Sequence, residues 1–221
     1  MDRLLRVEFH CHTLYSRDCL TSVDRLVATA RQRGIDRLVI TDHNRIDGAL
    51  EAQKLDPELV IVGEELLTSR GELLVAFVQE ALPRGIDPFD AIRELRAQGA
   101  FISVSHPFDL RRHGWHLPDL QAIASLVDAL EVFNARCQVS ELNRKAADFA
   151  AQHHLAGTAG SDAHILREVG RATFTVPFFQ SGSELRAVMP QARIEGRLSS
   201  PFIHLTSTYA RIVKQSRENR K

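Results

Sequence analysis

Cysteine, lysine and the larger aromatic side chains are all scarce in this 221-residue chain. The three cysteines, Cys11, Cys19 and Cys137, form no C-x-x-C pair, and an odd number without that spacing suits a reducing compartment. No apolar stretch follows Met1-Asp2-Arg3-Leu4-Leu5-Arg6-Val7-Glu8, so no secretory signal is expected. No run approaches the roughly 18 apolar residues of a spanning helix. These absences point to a cytoplasmic protein with no membrane partner. Net charge is missing too: 28 Lys and Arg balance 28 Asp and Glu, which argues against a polycation working on nucleic acid or membrane. One Trp and two Tyr accompany eleven Phe, and no basic stripe is interleaved with aromatics, so a small pocket is expected rather than a long nucleic-acid groove. Lysine occurs only at Lys54, Lys145, Lys214 and Lys221; nearly all positive charge is arginine, whose guanidinium suits phosphate recognition.

What is present is a globular composition, 44% hydrophobic and 25% charged, on a chain long enough for one sizeable core. Ten histidines are the compositional oddity. Apolar runs of strand length alternate with helix-period segments, the mark of an α/β fold. Strands are expected at 5–9, 37–41, 59–63, 73–78, 100–105, 129–133, 156–160 and 171–176, with the 73–78 strand paired to its predecessor as a hairpin. Thr21-Ser22-Val23-Asp24 opens a helix in capping-box fashion and Gly34 ends it. Asp87-Pro88 starts another that closes at Gly99, and further helices are expected near 118–126, 140–152 and 183–188. The reading is a single barrel domain over residues 1–200, with a basic, helical or frayed tail over 201–221.

The polar residues at the strand ends decide the architecture. The first strand is followed by His10-Cys11-His12 and then Asp18, the second by Thr41-Asp42-His43, and the third by Gly63-Glu64-Glu65. Later strands end in Ser105-His106-Pro107, Glu131-Val132-Phe133-Asn134 and Gly160-Ser161-Asp162-Ala163-His164. In a parallel barrel these carboxyl ends converge on one face, where active sites are built. Imidazole and carboxylate without clustered thiolates suit Zn²⁺, Mn²⁺ or Fe²⁺. In H-x-H on an extended segment both rings point the same way, and Asp162-x-His164 repeats that geometry.

His10-Cys11-His12-Thr13, Thr41-Asp42-His43-Asn44, Gly63-Glu64-Glu65, Ser105-His106-Pro107 and Gly160-Ser161-Asp162-Ala163-His164 together resemble the motifs of the PHP (polymerase and histidinol phosphatase) domain family of metal-dependent phosphoesterases. The resemblance runs from about residue 5 to 176. It implies a distorted seven-stranded (β/α)7 TIM-like barrel and two or three divalent ions (Zn, Mn or Fe) held by about nine side chains. Carried over by position, His10 and His12 bind one ion and Glu65 bridges it to a second. Glu72 and His106 complete the second ion's shell. Asp18, His43 and His164 hold a third, and Asp162 returns to the first. Glu72 stands where many members carry histidine. Glu64 and Glu65 both follow the third strand, and the family's G-x-E spacing favours Glu65.

Such a centre suits phosphate-ester hydrolysis, because water between two cations loses a proton near neutral pH. The metal-activated water is the expected nucleophile, with His43, His164 and Asp162 as the nearest side chains. Arg136, Arg17, Arg111, Arg112 and Asn134 lie in loops where they can hold the phosphate or substrate. Asp42 reads as a side chain that orients a ligating histidine, and Glu131 and Asn134 read equally as such partners or as substrate contacts. His113, His116, His153, His154 and His204 fall off the strand-end pattern and read as surface or helix histidines, with the 111–116 loop able to close over substrate. The expected substrate is a small phosphorylated molecule, a nucleotide or a short RNA end. Two alternatives stand beside this: an amidohydrolase-type C–N hydrolase, which begins with H-x-H but commonly uses a strand-end lysine, and a metal-binding regulatory module without turnover.

Overall fold

The computed structural model describes residues 3–218. Nine strands form one sheet among the described residues: β1 (Leu4–Glu8), β2 (Arg37–Ile40), β3 (Val60–Leu67), β4 (Glu72–Ala76), β5 (Phe101–Val104), β6 (Ala129–Asn134), β7 (Ala156–Gly160), β8 (Ala172–Pro177) and β9 (Arg193–Gly196). Their spatial order is β7-β6-β5-β4-β3-β2-β1-β8-β9. Parallel ladders join β1 to β2, β2 to β3, β5 to β6 and β6 to β7. The strand β4 runs antiparallel between β3 and β5, and β8 runs antiparallel between β1 and β9. The sheet is therefore nearly closed and barrel-like, with nine strands where seven were expected. The β3–β4 hairpin is present as expected.

Closure comes from backbone contacts at the carboxyl ends. His12 N donates to Ala163 O (2.9 Å) and Ala163 N to His10 O (3.3 Å), a parallel bridge between the exits of β1 and β7. Below it, β9 packs on β7 without a ladder: a Cβ added at Gly157 would sit 3.1 Å from Ile194 Cδ1.

Side-chain alternation along the strands divides the core. Leu5, Val7, Phe9, Val39, Ile61, Leu74, Phe101 and Phe174 fill the inner face, where Phe9 meets Phe101 edge-on at 5.7 Å between centroids. Val60, Val62, Leu66, Leu73, Val75 and Ile102 point outward and pack under the helices α1 (Val23–Gln32), α2 (Asp47–Leu55), α3 (Pro88–Ala97), α4 (Leu117–Ile123) and α5 (Ser140–Gln152). The short α6 (Gly182–Val188) sends Leu185 into the inner core at the amino end of the barrel.

The α3 cap forms as the sequence indicates, with Asp87 Oδ1 accepting from Phe89 N (2.9 Å). The α1 cap does not: Ser22 is extended at the N-cap but makes no side-chain cap bond. Gly34 ends that helix at φ +67°.

The last helix, α7 (His204–Glu218), crosses the carboxyl face. Arg136 Nη2 donates to Ile203 O (3.2 Å) and Ser207 Oγ (3.0 Å), and Lys214 Nζ donates to Leu14 O and Ser16 O. Arg220 and Lys221, part of the basic run, lie outside the described residues. No helix among the described residues is long and apolar enough to cross a membrane.

Candidate metal centre

Nine side chains from seven segments converge beneath α7. His10 and His12 arrive on the exit of β1 and Asp18 on the loop beyond it. His43 follows β2, Glu65 lies on β3, His106 follows β5, and Asp162 and His164 follow β7. Glu72 opens β4 and still reaches the same face, because β4 is antiparallel and its amino end lies among the others' carboxyl ends. Strand alternation decides between the two glutamates of β3: Glu65 faces inward with Ile61, while Glu64 faces the helix layer, where Leu82 N approaches its Oε2 at 3.4 Å.

Glu65 is the hub. Its Oε2 lies 3.2 Å from His10 Nε2, 3.5 Å from His12 Nε2 and 3.0 Å from His43 Nδ1, and its Oε1 lies 3.1 Å from His106 Nε2. Asp162 Oδ1 is 3.7 Å from His10 Nε2 and 3.4 Å from His12 Nε2. Asp18 Oδ1 lies 3.5 Å from His43 Nε2 and 3.3 Å from His164 Nε2. His106 Nε2 lies 3.6 Å from Glu72 Oε2. Three overlapping triads place their donor atoms within 4.8 Å of one another: His10, His12 and Asp162; His12, His43 and His164; and His43, Glu65 and Glu72.

Several donors are left without a hydrogen bond although buried: His10 Nε2, His12 Nε2 and Asp18 Oδ1. Stranding polar atoms away from water is costly, and here they face one another across the cluster. Their opposite ring nitrogens are held. His10 Nδ1 lies 3.0 Å from Glu131 Oε1, and a carboxylate only accepts, so Nδ1 carries the proton and Nε2 presents a lone pair. His12 Nδ1 donates to Ser16 Oγ (3.1 Å), which in turn donates to Asp42 Oδ1 (2.5 Å). Rings so oriented are what a cation requires. The residues present fit divalent metal ions.

The electrostatics agree. Burial disfavours a charged His10, yet Glu65, Asp162 and Glu131 overcome it and raise the ring well above the ordinary histidine value. Burial and the neighbouring His164 and His43 push His12 down to about 3. Glu65, against the burial that opposes its charge, is held well below the usual carboxylate range by His10 and His43. Glu72 is pushed well above that range by burial and by the charge of Glu65. Crowded carboxylates that draw protons onto imidazole mark a place where positive charge is in demand, and metal binding there would release those protons.

The supporting residues were only partly visible beforehand. Asp42 accepts from Thr13 N (2.8 Å) and Thr13 Oγ1 (2.5 Å) as well as Ser16, so it fixes the loop that carries His12. Glu131 Oε2 also accepts from His106 N (2.9 Å) and Asn134 Nδ2 (3.0 Å). Asn134 is fully buried, donates to Asp162 Oδ2 (3.2 Å), and does not line the cavity above the cluster.

Arg112 is bound to Asp162 Oδ2 and to Asp109 Oδ2 (2.9 Å for the latter). Arg136 is committed on every side: its Nη1 lies 2.6 Å from His164 Nδ1, its Nε pairs with Glu168 Oε1 at 3.1 Å, and its Nη2 anchors α7. Arg17 and Arg111 are exposed at the rim.

Ser16, Glu168 and Trp115 were missed by sequence reasoning. Glu168 Oε2 accepts from His164 N (2.9 Å), and Trp115 Nε1 donates to Glu72 O (2.9 Å). Nothing in their local sequence marks them. Cys11 Sγ donates to Val39 O and Cys19 Sγ to His12 O and His164 O, so neither thiol faces the cluster.

Close packing of the β1 and β7 exits requires Gly160, since a Cβ there would collide with His10 Cβ. Just beyond it Asp162 takes a left-handed φ of +52°, an uncommon conformation that aspartate tolerates and that turns its carboxylate into the cluster. Above the cluster opens a cavity of about 450 Å³, roofed by α7 residues Ser207, Thr208 and Arg211. His113 and His204, which the sequence pattern set aside, also line it.

Comparison with known proteins gives a consistent picture. A family model for the PHP domain matches residues 8–93, and a PHP-associated model matches residues 140–186. The uncharacterized protein MJ0417 of Methanocaldococcus jannaschii is 34% identical over 172 residues, 76% of this chain and 69% of that protein. Among solved structures, PsfC from Pseudomonas syringae superposes with a TM-score of 0.69 at 21% identity, covering 98% of this chain and 99% of PsfC. A two-domain protein from Bacteroides vulgatus containing a predicted PHP-like metal-dependent phosphoesterase superposes with a TM-score of 0.73 at 20% identity, covering 89% of this chain and 66% of that one.

Proposed function

The chain belongs to the PHP domain family, and from that premise we propose that it is a metal-dependent phosphoesterase acting on a small phosphorylated molecule. The observation that carries this reading is the set of three overlapping donor triads, together with the buried His10 Nε2, His12 Nε2 and Asp18 Oδ1, which have no hydrogen-bond partner. His10, His12 and Asp162 would hold one divalent ion; Glu65, Glu72 and His106 a second; Asp18, His43 and His164 a third. Bound there, divalent cations supply Lewis acidity, which activates water and neutralises the phosphoryl oxygens.

The rest is done by the chain itself. Glu131 and Ser16 keep the protons of His10 and His12 on Nδ1. Arg112 holds Asp162 in place. Hydrolysis joins a water oxygen to phosphorus, breaks the ester P–O bond and leaves an alcohol and inorganic phosphate, the alcohol taking up a proton.

An amidohydrolase reading finds less support. No lysine lines the cavity among the described residues, and Lys214, the lysine beside the site, is engaged by backbone carbonyls. A regulatory module would be expected to have lost ligands, and all nine positions hold competent donors.

The test is a panel of phosphomonoesters, phosphodiesters, short RNAs and amides incubated with the Mn²⁺-supplemented protein. Release of phosphate or cleavage of an ester supports the reading. Turnover confined to the amides overturns it.

A further inference from the structure

The mouth of the cavity is unlike its floor. All four carboxylates that line it, Asp18, Glu65, Glu72 and Asp162, belong to the cluster at the bottom. The arginines divide into two groups. Arg112 and Arg136 are paired with Asp162, Asp109 and Glu168. Arg17, Arg84, Arg111 and Arg211 line the same cavity and are exposed, and among the described residues none of their guanidinium groups has a carboxylate partner. Elsewhere many surface arginines do have one: Arg31 with Asp56, Arg45 with Asp47, Arg70 with Asp119 and Arg144 with Glu141.

These four come from four different segments: the loop after β1, the loop between β4 and α3, the loop after β5, and α7. In a chain of zero formal net charge, the rim of this one cavity gathers unopposed positive charge. Carboxylates answered by bound cations would leave that charge free to act on an incoming anion.

The remaining lining is polar. Asn44, Ser207 and Thr208 supply amide and hydroxyl groups, and Leu67 is the only aliphatic side chain among the described residues that line it. Among the described residues no Phe, Tyr or Trp lines the cavity, and His113 and His204 are the rings it offers outside the cluster, a smaller platform for a nucleobase than those side chains give. A volume of about 450 Å³ is that of a small-molecule site.

Resting on the phosphoesterase reading, we propose that the substrate is a sugar or polyol carrying two phosphate groups. One phosphate is delivered to the metal cluster, and the other is held at the rim by Arg84, Arg111 and Arg211 with Arg17. The polar lining between them takes the hydroxyls. Guanidinium groups bind phosphate through paired N–H donors, and a second phosphate caught at the rim orients the first toward the cluster.

The full-length protein loaded with Mn²⁺ is tested with glucose 1,6-bisphosphate, glucose 1-phosphate, glucose 6-phosphate, AMP and adenosine 3′,5′-bisphosphate. The expected result is a kcat/KM at least about tenfold higher for glucose 1,6-bisphosphate than for either monophosphate, a difference of ~1.4 kcal/mol. In Arg84→Ala/Arg211→Ala that ratio should fall toward one, mainly through KM. Equal kcat/KM for the sugar mono- and bisphosphates, or a preference that survives the double substitution, overturns the rim site. Higher kcat/KM for the adenosine bisphosphate than for the sugar bisphosphate overturns the sugar assignment. Ligand-induced shifts in Tm give a second readout: glucose 1,6-bisphosphate should raise the Tm more than the monophosphates do, and the double variant should lose the difference. If the metal-loaded protein hydrolyses no ester, the phosphoesterase reading fails, and the Tm difference still decides whether the rim binds a second phosphate.

Discussion

Glu64 and Glu65 have the same side chain, and strand geometry gives them opposite lives. Glu65 joins the cluster and is kept ionised by the histidines around it. Glu64 is buried in the helix layer, and burial pushes it up from an ordinary 4.5 to about 7. A carboxyl raised in the folded state is protonated there while its unfolded counterpart has already ionised. Its contribution to stability is therefore complete below pH 4.5 and is lost as pH rises through 7, by about 3 kcal/mol in total. Glu64→Gln, which stays neutral, should be increasingly stabilised relative to the parent between pH 5 and pH 8.5; urea midpoints at both ends of that range check it, and an unchanging difference would count against it. Asp162→Asn and His12→Ala should each lower phosphoesterase turnover by two orders of magnitude or more with far-UV circular dichroism unaltered; near-normal turnover in either removes that residue from the centre. At this scale the sequence was most informative where function is concentrated. H-x-H, D-x-H and G-x-E patterns show at the level of single letters, and the structure brings those five side chains together with Asp18, His43, Glu72 and His106. Ser16 and Glu168 act on His12 Nδ1 and His164 N from four residues along the chain, a spacing too ordinary to single them out, whereas Glu131, visible at its strand end, reaches His10 from a distant segment.

At the level of elements, legibility followed burial contrast. The helix α5 was found to the residue because it has a clear apolar face, and β7, small throughout, was found from its place just before the Asp162-x-His164 pattern. The helix α2 was missed: its buried residues are Gly48, Ala49 and Ala52, its N-cap is Ile46 without a side-chain bond, and small side chains leave no apolar stripe. The strand β9 was missed because all four of its residues are exposed, so no in–out alternation appears. Eight of the nine strands were thus expected and β9 alone was missed; the figure of seven came from the family resemblance, and the sheet departs from it by the antiparallel β4 and β8 as well as by β9. Capping was legible at one site of two. Asp87 bonds Phe89 N at the head of α3, and Asp87→Ala should cost about 1 kcal/mol, seen as a lower Tm or urea midpoint; no change would mean that the cap bond adds nothing. Ser22 makes no such bond, and its alanine variant should be nearly silent in the same measurement.

For the whole molecule, folding and function share one construction. The sheet closes where the exits of β1 and β7 bridge, and the same two exits deliver His10, His12, Asp162 and His164. Closing the barrel thus assembles the cluster, and the cluster gathers buried charges that stay mutually unsatisfied until cations arrive. Metal binding to the folded chain alone must therefore stabilise it, and the Tm should rise on adding Mn²⁺ to chelator-treated protein and show no rise with Asp162→Asn and His12→Ala combined. A neutral total charge conceals this arrangement, since acids at the floor and arginines at the rim cancel in a sum over residues and separate only in space. The most direct test of the metal centre is the metal content of the purified protein, measured by elemental analysis alongside phosphoesterase turnover before chelation, after it, and after Mn²⁺ is restored. At least two equivalents of Zn, Mn or Fe, with turnover that disappears on chelation and returns on reloading, is the expected result. Full turnover and full secondary structure in a metal-free protein would contradict it.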